Sequence, residues 1–126
     1  MFTHVLVGTN DIERARRFYD AVLGTLGVGG PVEDRGRVIY RSRTGSFGLT
    51  RPLDGEPATH ANGGTIGFAA DGPETVAAFH AAGLANGGTA IEDPPGPRET
   101  GFGMVHLAYL RDPDGNKICA VHRAPR

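Results

Sequence analysis

The sequence has little of what marks membrane-spanning or secreted proteins. It has no tryptophan and a single cysteine, Cys119, so the chain cannot form an internal disulfide bond. No apolar stretch approaches the roughly 18 residues that a membrane-spanning helix needs. The opening stretch lacks the basic segment that begins a signal peptide. We therefore expect a cytoplasmic protein with no membrane partner.

Neither sign of charge is in excess. Thirteen Lys and Arg residues stand against fourteen Asp and Glu residues, which gives a formal net charge of −1 at pH 7. This balance argues against nucleic acid as the main partner. A chain of 126 residues is of the length expected for a single domain with one core.

Glycine, in contrast, is abundant. The 20 glycines among 126 residues amount to about twice the usual share of ~7%. They are scattered singly and in pairs, which predicts many turns and close backbone approaches instead of a low-complexity tail.

The first half of the chain reads as a strand, a helix and further strands. Phe2–Val7 is rich in strand-forming residues. Asn10 has the features of a helix N-cap, and Glu13 would complete a capping box. Apolar residues then recur at helical spacing from Ile12 until Gly24 ends the run. The later strand candidates are Val38–Ser42, Ser46–Thr50 and a weak one near 27–32.

The second half repeats this pattern 61 residues later. Thr65–Ala69 predicts a strand, and Asp71 with Glu74 predicts a second capping box. Caps, apolar positions and glycines match in one register, which is stronger evidence for a repeat than any single element. We predict two modules, at about residues 1–54 and 62–126, joined by a Pro/Gly-rich linker at about 51–64.

A strong turn organises the end of the chain. Asp112–Gly115 has the residues of a tight turn between two strand candidates, Met104–Leu110 and Lys117–Val121. Such a turn fixes the register of both strands. The alternation predicts Cys119 and Val121 on one face of the outgoing strand, with Ile118 and Ala120 on the other. The preceding stretch Glu92–Gly103 predicts a long loop, of a length that is often functional.

Three stretches resemble the vicinal oxygen chelate superfamily, which includes glyoxalase I, bleomycin-resistance proteins and extradiol dioxygenases. They are His4–Gly24, Gly63–Gly88 and Tyr109–Val121. The resemblance implies an α+β fold of two βαβββ modules that form a curled mixed sheet around a cleft, with the helices on the outside. It also implies assembly as a homodimer.

Metal-using members of this superfamily hold one divalent ion with a side chain from each module's first strand and each module's last strand. The resemblance places these four positions at His4, Gly48, Thr65 and Cys119. Only His4 keeps the residue type of the pattern, and Thr65 and Gly48 are poor ligands. We therefore expect no cofactor, or one divalent transition metal (Zn, Ni, Mn or Fe) in a non-standard site that includes His4.

The resemblance places a small-molecule site in the cleft between the modules. Arg98, and Arg41 or Arg43, are candidates to contact an acidic ligand, although a role as ordinary surface arginines is the favoured interpretation. A rearranged metal site would draw on the other histidines, His60, His80, His106 and His122, although an ordinary structural or surface role is the favoured interpretation of each. The expected cleft residues are His4, Leu6, Thr65, Gly67, His106, Cys119 and Val121.

Two functions remain open at this point. One is a protein that binds or acts on a small oxygenated molecule after losing most of the metal site. The other is a metal-dependent lyase, isomerase or dioxygenase with a rearranged site that includes His4. A purely dimerising or regulatory domain has no positive support in the sequence.

Overall fold

The computed structural model describes residues 1–124 and contains eight strands and two helices. Each half contributes four strands and one helix, which confirms the predicted α+β fold of two βαβββ modules. The elements are β1 His4–Gly8, α1 Ile12–Thr25, β2 Val32–Asp34, β3 Arg37–Arg41, β4 Ser46–Thr50, β5 Ile66–Ala69, α2 Pro73–Ala85, β6 Thr89–Thr100, β7 Gly103–Arg111 and β8 Lys117–Arg123.

The two sheets have the same strand order. The first runs β1-β4-β3-β2 and the second β5-β8-β7-β6. In each sheet the first strand of the module pairs in parallel with the last, and the other neighbours are antiparallel. The repeat read from the sequence is therefore a repeat of topology. Neither helix has the length and apolar character that crossing a membrane would require, among the residues the structure describes.

Both helices and one face of each sheet share a single core. Aromatic rings connect the modules through this core, with Phe47 of β4 4.7 Å from Tyr19 and 5.2 Å from Phe68 of β5, measured between ring centroids. Ile118 and Ala120 belong to the same core cluster, as the alternation along β8 predicts. The opposite face of each sheet points away from the helices, and we call it the open face.

The predicted turn between β7 and β8 is confirmed, and a buried carboxylate anchors it. Asp112 is 4% exposed and accepts hydrogen bonds from the Tyr19 hydroxyl at 2.6 Å and from the Asn116 amide at 2.9 Å. It also accepts from the backbone N–H groups of Asp114 and Asn116. Because Tyr19 lies on α1, this carboxylate ties the first module to the last hairpin of the second.

The predicted N-cap of α1 is off by one residue. Asp11, not Asn10, caps the helix, because its side chain accepts from the Arg14 N–H at 3.0 Å. The Asn10 side chain instead exchanges two hydrogen bonds with the backbone of Ala58. With its amide committed to the linker, Asn10 cannot complete a capping box with Glu13.

The prediction of a second capping box, from Asp71 and Glu74, is also wrong. Gly72 occupies the N-cap of α2, where no side chain bonds to the helix start. The Asp71 carboxylate accepts from the Thr75 hydroxyl at 2.6 Å, one position outside the cap. Pro73 lies in the first turn, where its missing N–H costs nothing.

The stretch predicted as a loop is mostly strand. β6 runs from Thr89 to Thr100 along β7, so the prediction of a Glu92–Gly103 loop is wrong. The register shifts between Ile91 and Gly96, and this bulge accommodates consecutive prolines that cannot donate to a ladder. The weak strand near 27–32 begins only at Val32, and Thr65 precedes β5 instead of starting it.

Candidate ligand-binding cleft

Cross-strand partners share a side of a sheet, so the register defines the open face of the first module. A cavity of about 340 Å³ lies against this face. Apolar side chains of Leu6 and Ile39 occupy its middle, and polar groups surround them. The face carries His4, Leu6, Asp34, Arg37, Ile39, Arg41, Ser46 and Gly48.

At Gly48, one of the four positions expected to hold a metal ligand, neighbouring side chains occupy the space that a side chain would need. A Cβ placed on it would lie 2.2 Å from the Cδ2 atom of Leu6 and 2.7 Å from the Cδ1 atom of Ile39. Both distances are far below van der Waals contact, so these two side chains would have to move. The space that a carboxylate would occupy is therefore filled with hydrocarbon.

The open face of the second module centres on Cys119. Its cross-strand partners are Gly67 on β5 and Tyr109 on β7. The Lys117 ammonium stands 4.6 Å above the centre of the Tyr109 ring and pairs with the Glu92 carboxylate from the bulge of β6. A cation–π contact and an ion pair thus lie next to the thiol.

Cys119 is a buried, neutral thiol in this setting. It is 4% exposed, and burial raises its pKa to about 11. Lys117 lowers the pKa and Glu92 raises it, and both effects are smaller than that of burial. Because the thiolate is the form that binds metals and attacks electrophiles, Cys119 is a weak ligand and a weak nucleophile at neutral pH.

The two open faces join where β1 passes β5. One cavity of about 280 Å³ is lined by His4 together with Gly67, Phe68 and Ala69. A second, of about 230 Å³, is lined by Leu6 together with Thr65 and Lys117. The start of β1 therefore lies beside the end of β5, and the end of β1 lies beside the start of β5. We call the joined open faces the cleft.

The structure brings together most of the residues expected in the cleft. His4, Leu6, Gly67, Cys119 and Val121 lie on the open faces, and Thr65 lies where the faces join. The His4 ring nitrogen Nδ1 lies 2.8 Å from the hydroxyl of its neighbour Thr3.

His106 is not brought to the cleft. It lies opposite His122 in the β7–β8 ladder, one face away from Tyr109 and Cys119. The imidazole of His122 lies 3.1 Å from the Ala70 carbonyl, to which its Nδ1–H donates. The expectation that His122 lies on the face of Ile118 is confirmed by the same register.

Sequence reasoning missed several residues of the cleft, including Arg37, Ile39, Tyr109 and Lys117. Tyr109 and Lys117 could have been predicted from the sequence. The strong Asp112–Gly115 turn fixes the pairing of β7 with β8, and this pairing sets Tyr109 beside Cys119. Glu92 was not predicted, because the stretch that begins at this residue was interpreted as a loop.

The comparisons with known proteins agree with this geometry. The sequence profile of the Glyoxalase/Bleomycin resistance protein/Dioxygenase superfamily matches residues 1–120. The chain belongs to this superfamily. A search of curated proteins finds no match.

Several solved structures share the fold over nearly their whole length. A glyoxalase/bleomycin resistance protein from Albidiferax ferrireducens T118 is 62% identical, with a TM-score of 0.96 over 98% of this chain and 99% of that one. A family enzyme from Burkholderia phytofirmans PsJN is 20% identical, with a TM-score of 0.71 over 95% and 96%. A lactoylglutathione lyase from Agrobacterium tumefaciens is 20% identical, with a TM-score of 0.66 over 97% and 92%.

Proposed function

We propose that this superfamily member holds a small oxygenated, amphipathic molecule in the cleft, and that it does so without the four-ligand metal site. The observation that carries the proposal is the donor set. Of the four positions that the superfamily uses, only His4 offers a strong metal ligand. Gly48 has no donor, and the ends of the Leu6 and Ile39 side chains occupy the space beside it.

The other two positions are no better suited to a divalent ion. Thr65 offers a neutral hydroxyl, and Cys119 is a thiol whose pKa of about 11 keeps it protonated at pH 7. Within residues 1–124, no three His, Cys, Asp or Glu side chains gather as a metal-binding group. A hard or borderline divalent ion needs several deprotonated donors in one place. The residues present do not fit that need, and we derive no catalytic step through a metal.

The cleft is instead suited to hold an amphipathic molecule. Leu6 and Ile39 on one sheet and Val121 on the other give an apolar floor, which contributes affinity by removing hydrocarbon from water. The Lys117 ammonium and the Tyr109 ring would orient a polar oxygen above that floor. Binding of this kind requires no bond to be made or broken.

The second candidate is a metal-dependent lyase, isomerase or dioxygenase with a rearranged site that includes His4. Similarity to the Agrobacterium lyase and the presence of His4 in the cleft favour it. It predicts about one equivalent of a transition metal in protein purified without chelator, and loss of that metal in His4→Ala. Elemental analysis of both proteins separates the two candidates.

The binding proposal is tested with a neutral fluorescent probe, N-phenyl-1-naphthylamine, in metal-free protein. A leucine in the Gly67→Leu variant would fill the floor beside Cys119, and we expect at least a tenfold loss of probe affinity. The matched control is Gly24→Leu on α1, where no atom lies within 4 Å of the added Cβ. Equal affinity in both variants, with both melting cooperatively, would contradict binding in the cleft.

We further propose that the protein forms a homodimer and works in the cytoplasm. Superfamily membership supports this proposal. Light scattering of the purified protein measures its oligomeric state directly.

A further inference from the structure

Two histidines outside the cleft oppose each other on the helix-facing side of the second sheet. His106 on β7 and His122 on β8 are direct partners in the antiparallel ladder, and both are half-buried. Their side chains share the face of Ile118, which is opposite to the face of Cys119. Directly opposed residues of an antiparallel pair have Cβ atoms about 4.5–5.5 Å apart, so the two imidazole rings are neighbours. The proposed function uses neither of them.

A backbone carbonyl next to β5 holds the ring of His122 in one orientation. The His122 Nδ1 atom lies 3.1 Å from the carbonyl oxygen of Ala70, the residue directly after β5. Since a carbonyl oxygen only accepts, the neutral ring has its proton on Nδ1 and its lone pair on Nε2. Histidines that bind metals almost always donate from their other ring nitrogen in this way, because the contact fixes the tautomer and orients the ring. His122 therefore has the hydrogen bonding of a metal ligand.

The ring of His106 is available to supply a second nitrogen. No hydrogen bond joins this ring to another residue among residues 1–124. Strand β8 lies between β5 and β7, so His122 is anchored to Ala70 on one side and meets His106 on the other. Two neutral imidazoles on adjacent strands can bind the same ion, which requires nitrogen-to-metal distances of about 2.0–2.1 Å for zinc.

The strand rows around this pair bring no fixed positive charge to the same face. The row of the two histidines continues to Pro97 on β6, and the next row holds Met104 and Glu99. Arg98 and Arg123 alternate to the other face of the sheet. These two rows of the described chain therefore present a carboxylate on this face and no lysine or arginine. A divalent cation would not be repelled by a neighbouring cation there.

We propose that His106 and His122 form a binding site for a late first-row divalent transition metal, with Nε2 of His122 and one ring nitrogen of His106 as ligands and water in the remaining positions. Imidazole nitrogen suits Zn²⁺, Ni²⁺ and Cu²⁺, whereas Mg²⁺ and Ca²⁺ prefer oxygen ligands. The site is separate from His4 and from the cleft, so it does not restore the four-ligand site of the superfamily. An ion bound here links β7 to β8, and its binding to the folded state stabilises the second sheet.

Ni²⁺ alone is the probe, because its paramagnetism locates the ion as well as reporting its binding. We expect calorimetry to show one equivalent bound by the unchanged protein. The imidazole NMR signals of His106 and His122 should broaden before those of the other three histidines. His106→Gln should weaken binding at least about tenfold, since loss of even an outer-shell partner has an effect of that size. His60→Gln, at an exposed histidine, is the matched control and should bind as the unchanged protein does.

A second variant and a second measurement guard against a loss of binding that comes from unfolding. In His122→Gln the glutamine amide can still donate to the Ala70 carbonyl, but the imidazole nitrogen is lost. This variant should also bind Ni²⁺ at least about tenfold more weakly. In urea denaturation, Ni²⁺ should raise the midpoint of the unchanged protein and of His60→Gln, and should leave the midpoints of His106→Gln and His122→Gln where they are.

The outcomes separate this site from the cleft. If Ni²⁺ binds equally well to the unchanged protein and to His106→Gln, the inference is overturned. If His4→Ala abolishes binding and His106→Gln retains it, the ion belongs to the cleft, which contradicts the inference and favours the metal-dependent candidate function. If one ion binds per two chains, two copies build the site together, and the inference of a site within one chain is wrong. None of these results alters the probe test of the proposed function.

Discussion

The two modules have the same topology, but they fill the centre of their open faces in opposite ways. In the first module Leu6 lies opposite Gly48, and in the second Gly67 lies opposite Cys119. The large side chain is on the first strand in one module and on the last strand in the other. Each pair holds one side chain beyond the backbone, and in neither pair is that side chain a strong metal ligand at neutral pH. The sheets therefore retain a common backbone plan while the chemistry of their centres diverges.

The hairpins that close the modules differ in a second way. The turn between β3 and β4 is held by local, exposed hydrogen bonds of Ser42 with Gly45 and Thr44. The turn between β7 and β8 is held by buried Asp112, which bonds to Tyr19 on the other module. One hairpin stabilises itself, whereas the other stabilises the junction of the modules.

The largest effect should come from Asp112→Ala. This change leaves the buried Tyr19 hydroxyl and the Asn116 amide without their acceptor, so we expect a loss of about 3 kcal/mol in the free energy of unfolding. Urea denaturation measures it. Ser42→Ala, at the exposed hairpin of the first module, is the matched control and should cost less than about 0.5 kcal/mol. Similar losses in the two variants would contradict the distinction between the hairpins.

The second effect should come from Gly48→Ala. The added methyl group would overlap the ends of the half-buried Leu6 and Ile39 side chains. Because these ends can turn aside into the cavity, we expect a loss of about 1 kcal/mol, at the low end for overpacking. In Gly67→Ala the added Cβ would meet the Cys119 sulfur at 3.4 Å, an ordinary contact. That variant should be neutral or slightly stabilising, since alanine restricts the unfolded chain. Equal denaturation midpoints for the two variants would show that the faces are filled alike.

A smaller difference in stability is expected between variants at the N-termini of the two helices. Asp11→Ala removes the side chain that caps α1, which costs about 1 kcal/mol. Asp71→Ala removes only an exposed hydrogen bond from the Thr75 hydroxyl in the first turn of α2. We therefore expect a loss of a few tenths of a kcal/mol in the free energy of unfolding. A thermal melt of each protein gives the comparison. A larger loss in Asp71→Ala would mean that it caps α2 in solution.

The sequence was sufficient for the architecture because repeated local patterns carry it. Apolar spacing, glycines and the Asp112–Gly115 turn each depend on nearby residues, and together they predicted the paired modules and the register of the last hairpin. The predicted caps were wrong because the Asn10 side chain bonds to the backbone of Ala58 and the Asp71 carboxylate to the hydroxyl of Thr75. The β6 strand was missed because a bulge tolerates prolines that the sequence pattern excludes.

The cleft could be predicted only in part. His4, Gly67 and Cys119 were found because the superfamily pattern and strand alternation point to them. The occupation of the Gly48 position by Leu6 and Ile39 depends on packing between three strands, which no local pattern encodes. The Lys117–Glu92 pair likewise spans β8 and the bulge of β6.

The raised pKa of Cys119 has a consequence for stability at high pH. The thiol has an ordinary pKa of 9.0, and burial raises it to about 11 in the folded protein. The unfolded chain therefore releases this proton first, and stability should fall as the pH rises from about 9 towards 11. Tyr19 and Tyr40, whose pKa values are also raised by burial, act in the same direction above pH 10.

The smallest effect should be on the pKa of the Cys119 thiol when its charged neighbours change. Lys117→Gln removes the cation that lowers this pKa, so the pKa should rise, whereas Glu92→Gln should lower it. The rate of alkylation by iodoacetamide as a function of pH reports the thiolate fraction. Asp34→Asn, in the ion pair of the first module's open face, is the matched control and should leave the profile unchanged. Shifts of the same sign in Lys117→Gln and Glu92→Gln would mean that solvent access outweighs charge at this thiol. Opposite shifts in these two variants, together with an unchanged profile in Asp34→Asn, would indicate that the thiol responds to the charges of its own open face and not to those of the first module.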